Sequence, residues 1–145
     1  MKVTFCGHAK IIYDMEQAME IYNSVEMLIK NGSNTFLFGG YGVFDLLSAS
    51  IVKKLKGVYP DIKSILILAY PDQKYDTKLY DSSFYPFKKP VHFKSAIIKR
   101  NQWMIDNADL LVAYVEEGRK GGAMTTLKYA EKKGIEIINL ASLEE

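Results

Sequence analysis

Cysteine is nearly absent from this sequence: Cys6 is the single cysteine among 145 residues. One thiol excludes an internal disulfide, and such sparing use suits a reducing compartment. Long apolar runs are also missing, since no stretch approaches the roughly 20 apolar residues that a membrane-spanning helix needs. No secretory leader is visible either, because Met1-Lys2 leads at once into the strand-like VTFC. We therefore expect a cytoplasmic protein without a membrane partner.

An excess of charge of one sign is missing too. The formal net charge is +2, and the basic residues form no clear stripe. Such a balance gives no argument for a nucleic-acid or membrane surface, so we expect no nucleic-acid partner. The composition is otherwise that of a globular protein, with 48% hydrophobic and 25% charged residues. This length and composition predict a single domain over residues 1–145.

Two familiar nucleotide motifs are absent: the sequence has neither a GxGxxG fingerprint nor a Walker-A GKS or GKT. What it has is an alternation of short apolar runs, such as ILILA and LLVAYV, with segments of helical periodicity. Residues 70–93 interrupt this alternation without a clear pattern of their own. The order β-α-β-α-β-(irregular)-α-β-α-β predicts an α/β fold, a Rossmann-like three-layer sandwich with a mostly parallel sheet of about five strands.

The stretch 100–126, RNQWMIDNADLLVAYVEEGRKGGAMTT, organises the rest of the chain. It begins in a predicted helix over 97–107, whose inward face is set by Ile97, Met104 and Ile105. A buried strand over 110–115 follows. Gly118, Gly121 and Gly122 then form a loop that leads into a helix predicted over 125–133. A glycine-rich turn between a strand and a helix start presents unpaired backbone amides and the positive end of the helix dipole. This arrangement favours a bound anion such as phosphate.

Three polar or glycine-rich turns follow strands of the predicted sheet, and parallel strands bring such turns to one edge. Each has a plainer interpretation, in which the glycines serve packing, His8 and Cys6 are structural, Asp45 caps its helix, and Arg100 is a solvated charge. Their convergence nevertheless favours a ligand site. The candidate ligand-binding residues are Gly7, His8, Gly39, Gly40, Tyr41, Gly42, Asp45, Arg100, Asn101, Gly121, Gly122, Ala123, Met124 and Thr125.

Three segments together resemble the SLOG superfamily, which includes the LOG phosphoribohydrolases and the DprA core. They are GGYGVFD after a strand, RNQWMIDNADLLVAY, and GGAMTTLKYAEKKG. The opening FCGHAK and the helix residues Arg100, Asn101, Met104 and Asp106 resemble the YpsA-like, DUF1273-type branch. The likeness covers nearly the whole chain. It implies a nucleotide or nucleotide-derived ligand over the strand ends, and it implies neither a metal nor a cofactor.

In LOG enzymes an arginine and the glutamate of PGGxGTxxE support cleavage of the N-glycosidic bond. Arg100 matches that arginine, but in KGGAMTTLK the glutamate position is held by Lys128. A lysine cannot stabilise an oxocarbenium-like centre or activate water as a carboxylate does. The resemblance therefore implies that the phosphate-binding backbone is retained without that chemistry, and we assign no catalytic residue.

Two classes of function remain open. One is a sensor or sequestering protein for a nucleotide or an ADP-ribose-like molecule. The other is an enzyme that cleaves the N-glycosidic bond of a nucleoside monophosphate with a relocated carboxylate, for which Asp45, Glu116 and Glu117 are candidates. DNA binding, by analogy with DprA, ranks third because of the near-neutral charge.

We expect a phosphate against the amides of 121–125, with the Thr125 hydroxyl and Arg100 as further donors. Residues 39–42 should form the opposite wall and His8 the floor, with a tyrosine from residues 70–85 stacked on the base. The resemblance and the candidate surface residues Trp103 and Tyr129 predict a homodimer or higher homo-oligomer. The alternative for Trp103 is a side chain that packs within its own domain.

Overall fold

Six parallel strands form one sheet in the computed structural model, which describes residues 1–143. The spatial order is β4-β3-β2-β1-β5-β6, and every neighbouring pair is parallel. The strands are β1 Lys2–Gly7, β2 Thr35–Phe38, β3 Lys63–Ile67, β4 Ser82–Phe84, β5 Leu110–Tyr114 and β6 Glu136–Asn139. The predicted Rossmann-like α/β class is confirmed.

Four α-helices cover the two faces of this sheet. They are α1 Met15–Lys30, α2 Val43–Lys56, α3 Ala96–Asp106 and α4 Gly122–Lys133, with short 3-10 turns at Phe93–Ser95 and Leu140–Leu143. One apolar cluster joins α1 and α2 to Phe5 and Phe38, while a second joins α3 and α4 to Cys6 and Ala113. Successive strand residues point to opposite faces, so the two helix pairs form the outer layers of the predicted sandwich.

Local sequence sets the bounds of α1. The Asp14 carboxylate accepts from the backbone N–H of Gln17 (3.0 Å), and the Gln17 side chain accepts from the backbone N–H of Asp14 (3.0 Å). This reciprocal capping box satisfies two amides that lack helical partners. Asn31 and Gly32, at φ 106°, end the helix. In the sequence, Asp14 with Gln17 three residues on predicts a helix start, and Asn31-Gly32 predicts its end. Both are observed.

The sheet has six strands rather than five because β4 lies inside the segment that the sequence pattern leaves unassigned. Its three residues are exposed and too few for periodicity to register. Hydrogen bonds on both sides of it hold this edge: Leu68 N–H donates to the Phe84 carbonyl (2.8 Å), and Ser64 N–H donates to the Asp81 carboxylate (2.8 Å).

Two helix predictions need correction. The helix predicted over 125–133 begins at Gly122, so the second glycine of the pair belongs to its first turn. In α3, Ile97 and Ile98 are 41% and 50% exposed, whereas Arg100 is 3% exposed. The helix is rotated because the Arg100 guanidinium finds carbonyl partners beneath it, as described below.

Trp103 packs within its own domain. Its ring lies 5.6 Å from that of Phe84, and it covers the small cluster around Leu37, Ile67 and Met104. Within residues 1–143, the helices are all too short or too polar to cross a bilayer.

Candidate functional site

The chain reverses its direction of travel across the sheet between β1 and β5. It builds outward from β1 to β4, then crosses to the other side of β1 to form β5. At such a switch point the connections leave the two strand ends in opposite directions, which opens a crevice at the carboxyl edge. We call the cavity of about 360 Å³ found there the switch-point cleft. Its lining includes Gly7, His8, Lys10, Tyr41, Asp45, Ile97, Arg100, Asn101, Met104, Arg119, Lys120, Gly121, Gly122, Ala123 and Thr126.

The amino end of α4 forms one wall of this cleft. Gly121 is the N-cap at φ 141°, and no side chain caps the helix. The amides of Gly122, Ala123 and Met124 therefore have no acceptor within the helix. An L-residue rarely adopts the backbone conformation of Gly121, so the tight entry into α4 depends on glycine there.

Positive charge surrounds that wall. Four cationic side chains line the switch-point cleft, whereas Asp45 is the one carboxylate of its lining in the described part of the chain. The cations are Lys10, Arg100, Arg119 and Lys120. Because charges of one sign around a concave site focus the field there, the cleft is suited to an anion.

Arg100 forms part of the floor, and much of its hydrogen-bonding capacity is used internally. Nη1 donates to the carbonyls of Gly39 (2.7 Å) and Ile67 (3.2 Å), and Nε donates to Asn101 Oδ1 (2.8 Å). Nη2 has no protein acceptor among residues 1–143. The arginine thus ties α3 to the ends of β2 and β3 and keeps one nitrogen available for a ligand.

Asp45 lies beside Arg100 at the start of α2. Its two carboxylate oxygens accept from the backbone N–H groups of Gly39 (3.1 Å) and Gly40 (3.2 Å). Burial raises the pKa of Asp45 to about 6, although these two bonds and the charge of Arg100 oppose the shift. The carboxylate therefore fixes the turn after β2 and also titrates close to neutral pH.

His8 is buried and holds the segment that follows β5. The backbone N–H of Glu116 donates to His8 Nε2 (2.9 Å), which fixes the neutral tautomer with its proton on Nδ1. Burial and then the charge of Arg119 lower the pKa of His8, against the opposing effect of Glu116. The histidine is accordingly neutral at pH 7.

Three of the glycines predicted to line the site, Gly39, Gly40 and Gly42, lie outside the lining and serve close packing, and Gly7 packs closely although it lines the cleft. A Cβ on Gly7 would lie 2.4 Å from the Phe44 ring, and one on Gly39 would lie 3.0 Å from Arg100 Cζ. Gly40 packs against Leu66, and Gly42 packs against Ala9. Of the turn over residues 39–42, Tyr41 alone reaches the lining.

Two other candidates lie outside the lining. Met124 packs against the cluster between α4 and the sheet, and the Thr125 hydroxyl donates to the Gly121 carbonyl (3.1 Å). Thr126, one residue further, lines the cleft and accepts from Asn101 Nδ2 (3.3 Å). Thr126 thus takes the place that was predicted for Thr125. The helix begins three residues earlier than the sequence pattern predicts, and this changes which residues of α4 line the cleft.

The tyrosines of residues 70–85 do not line the switch-point cleft. Tyr80 is buried against Phe38, and Tyr75 donates to Ser83 Oγ (2.9 Å). They lie near β3 and β4, on the side of the sheet away from β5. The lining of the cleft includes Phe5, which is buried, and Tyr41, which is 70% exposed.

Sequence reasoning missed Arg119 as a site residue. Its Nη1 donates to Glu116 Oε1 (2.9 Å), and its Nη2 donates to the Lys10 carbonyl (2.7 Å), so it joins the segments that follow β5 and β1. Its position just before the glycine pair is the signal that could have pointed to it. In the region that the structure describes, no group of three His, Cys, Asp or Glu side chains could hold a metal ion.

A parallel sheet with a cleft over its switch point defines a Rossmann-like α/β domain. No protein-family model matches the chain. Over 129 residues it is 29% identical to the SPbeta prophage-derived protein YoqJ of Bacillus subtilis strain 168, covering 74% of this chain and 75% of YoqJ. Over 139 residues it is 25% identical to a UPF0398 protein of Bacillus licheniformis, covering 85% of this chain and 73% of that protein.

Two solved structures share the fold. DNA processing protein A from Helicobacter pylori, described as binding single-stranded DNA, superposes with a TM-score of 0.64 at 19% identity. The match covers 94% of this chain but 63% of that one. A molybdenum cofactor binding protein from Rippkaea orientalis gives a TM-score of 0.64 at 16% identity, covering 95% and 74%. At these identities the two solved structures show a shared fold.

Proposed function

We propose that this protein binds a nucleotide or a nucleotide derivative, including ADP-ribose-like molecules, in the switch-point cleft. In this proposal it acts as a cytoplasmic sensor or sequestering module of the YpsA-like branch. One observation carries the proposal: the unpaired amides at the start of α4 lie in a cleft with four cationic side chains. Backbone donors and cationic side chains together match a phosphate group.

The phosphate is expected against the amides of Gly122 and Ala123, with Lys120 beside it. Arg100 contributes Nη2 rather than a full two-nitrogen fork, because its Nη1 and Nε already donate to protein acceptors. The sugar and base then lie toward Tyr41 and Ile97, which are exposed apolar groups of the same lining. A ring of this kind offers a face on which a base can stack.

Cleavage of the N-glycosidic bond of a nucleoside monophosphate remains the alternative, and Asp45 is the observation that favours it. A buried carboxylate whose pKa is raised to about 6 suits general acid–base chemistry near neutral pH. Both oxygens of Asp45, however, are engaged by backbone amides. Lys128 is exposed and lies outside the lining, so it supplies no replacement. We therefore favour binding over hydrolysis.

A matched pair of variants tests the proposed function. A Cβ on Gly122 would meet no atom within 4 Å, so Gly122→Val should fold while its side chain covers the amides that bind the phosphate. Lys128→Val places the same side chain on an exposed position of the same helix, outside the cleft. Calorimetry with AMP, ADP and ADP-ribose should show binding to the wild type and to Lys128→Val, and none to Gly122→Val. Equal binding by both variants would refute the site.

Two further measurements distinguish the alternative functions. Release of free adenine from AMP by the wild type, and its loss in Asp45→Asn, would establish the hydrolase. The fold shared with a protein described as binding single-stranded DNA weakens the charge argument against nucleic acid. A single-stranded oligonucleotide is therefore included as a further probe, and its binding in preference to mononucleotides would replace the small-molecule proposal.

A further inference from the structure

We propose that the anion in the switch-point cleft is esterified on both sides, as a pyrophosphate or phosphodiester, and that its second substituent occupies a neighbouring cavity. This inference rests on the proposed function and narrows its ligand. A terminal phosphate monoester would use one cavity, whereas a doubly substituted phosphate would use two.

The second cavity has a volume of about 490 Å³. We call it the outer cavity, and its lining consists of Lys10, Ile11, Ile12, Tyr114, Glu116 and Arg119. Lys10 and Arg119 also line the switch-point cleft. The two cavities therefore meet at two cationic residues, and each is within the size range of small-ligand sites.

Hydrogen bonds keep this shared wall in place. Arg119 Nη2 donates to the Lys10 carbonyl (2.7 Å), and Arg119 Nη1 donates to Glu116 Oε1 (2.9 Å). The backbone of Glu116 is in turn held by His8 (2.9 Å). The guanidinium therefore lies between the segments that follow β1 and β5, where a phosphate near the start of α4 has space on both sides.

The distribution of charge determines what the second substituent can be. Glu116 lines the outer cavity but not the switch-point cleft. Its carboxylate disfavours a second terminal phosphate there and can accept hydrogen bonds from sugar hydroxyls. Ile12, at 97% exposed, offers an apolar wall that solvent alone covers in the free protein. The outer cavity thus suits a neutral group that has both hydroxyls and an apolar face, such as a sugar.

Calorimetry with AMP, ADP and ADP-ribose tests the inference. ADP-ribose should bind the wild type about tenfold more tightly than ADP, although ADP carries the larger negative charge. Ile12→Ala should weaken ADP-ribose binding about fivefold, because apolar area buried by the second ribose is lost, and should leave ADP binding unchanged. Val58→Ala is the control, since Val58 is also exposed but lies outside both cavities.

The outcomes separate this inference from the proposed function. Equal affinity for ADP and ADP-ribose, or an Ile12→Ala variant that weakens both ligands alike, would overturn the double substitution while leaving nucleotide binding in place. A protein that binds none of the three nucleotides would refute the proposed function, and the inference with it.

Discussion

Arg100 serves both the packing of the fold and the candidate site. Its bonds to Gly39 and Ile67 join three elements, and the residue lines the cleft. The resemblance in sequence pointed to this residue, but the internal bonds could not be predicted. They depend on how β2 and β3 end relative to α3, and no local pattern encodes that relation.

We expect Arg100→Ala to weaken nucleotide binding by about 1.5–3 kcal/mol, the scale of a hydrogen bond to a charged group. The variant should also unfold at lower urea concentration, because the carbonyls of Gly39 and Ile67 lose their donor. Calorimetry and urea unfolding measure the two effects separately. A nucleotide that binds the folded variant with wild-type affinity would remove Arg100 from the site.

Asp45 should make the folded state less stable as the pH rises, which is the opposite of the usual effect of a carboxylate whose pKa is lowered on folding. Its pKa in the folded protein is about 6, above the ordinary 3.8, so the folded state binds a proton more tightly than the unfolded chain does. The corresponding stability is present below pH 3.8 and is lost as the pH rises through 6. Asp45→Asn lacks this titration. The stability of the wild type relative to Asp45→Asn should therefore fall between pH 4 and 6.5 in urea titrations, and a constant difference would contradict the raised pKa.

Some residues of the site are recognisable in the sequence, and others only in the structure. His8 and the pair Gly121-Gly122 follow strand ends, and strand-end turns are visible in the sequence. Arg119 looks like any surface arginine until its bonds to Lys10 and Glu116 are seen. The sequence therefore predicted the backbone features of the site better than its charged side chains.

At the scale of elements, the sequence predicted well where periodicity was strong. The apolar run 35–38 predicts β2, and it agrees with the observed strand. The bounds of α1 also agree with the pattern, because the capping box and the glycine stop are local signals. The strand β4 was missed because it has three exposed residues and is defined by pairing with β3. The inward face of α3 was misjudged because a buried arginine took a place that periodicity assigned to isoleucine.

We expect Asp81→Ala to loosen β4 specifically. Asp81 accepts from Ser64 N–H (2.8 Å) and from the Lys56 ammonium group, so its removal leaves a partly buried amide without an acceptor. The free energy of unfolding should therefore fall by about 1–3 kcal/mol. Hydrogen exchange should accelerate at Ser64 and Leu68, the two amides bonded to residues 81 and 84. Asp72→Ala is the control, since Asp72 is exposed and has no hydrogen bond within the described residues. Uniform acceleration across the sheet would contradict a local effect.

At the scale of the whole molecule, topology places the site. The strand order brings the ends of β1 and β5 side by side, so residues more than 100 positions apart, such as His8 and Glu116, come into contact. The same order puts residues 70–85 beyond β3, and none of them lines the cleft. The sequence could not predict this, because it required knowledge of which strands are neighbours.

Assembly provides the last prediction. Trp103 packs against Phe84 and is therefore a poor candidate for a contact between copies. Exposed apolar side chains lie instead around the start of α3, where Phe93 is 64% and Ile98 is 50% exposed. Apolar surface of this kind is typical of contacts between protein copies, and we expect a homodimer that uses it. Light scattering should give twice the chain mass for the wild type and the single-chain mass for Ile98→Asp, because the carboxylate would be buried without a partner. Val58→Asp places the same charge on an exposed position outside this surface and should remain dimeric. A wild-type protein that is monomeric at high concentration would reject the dimer, and a dimeric Ile98→Asp would place its interface elsewhere.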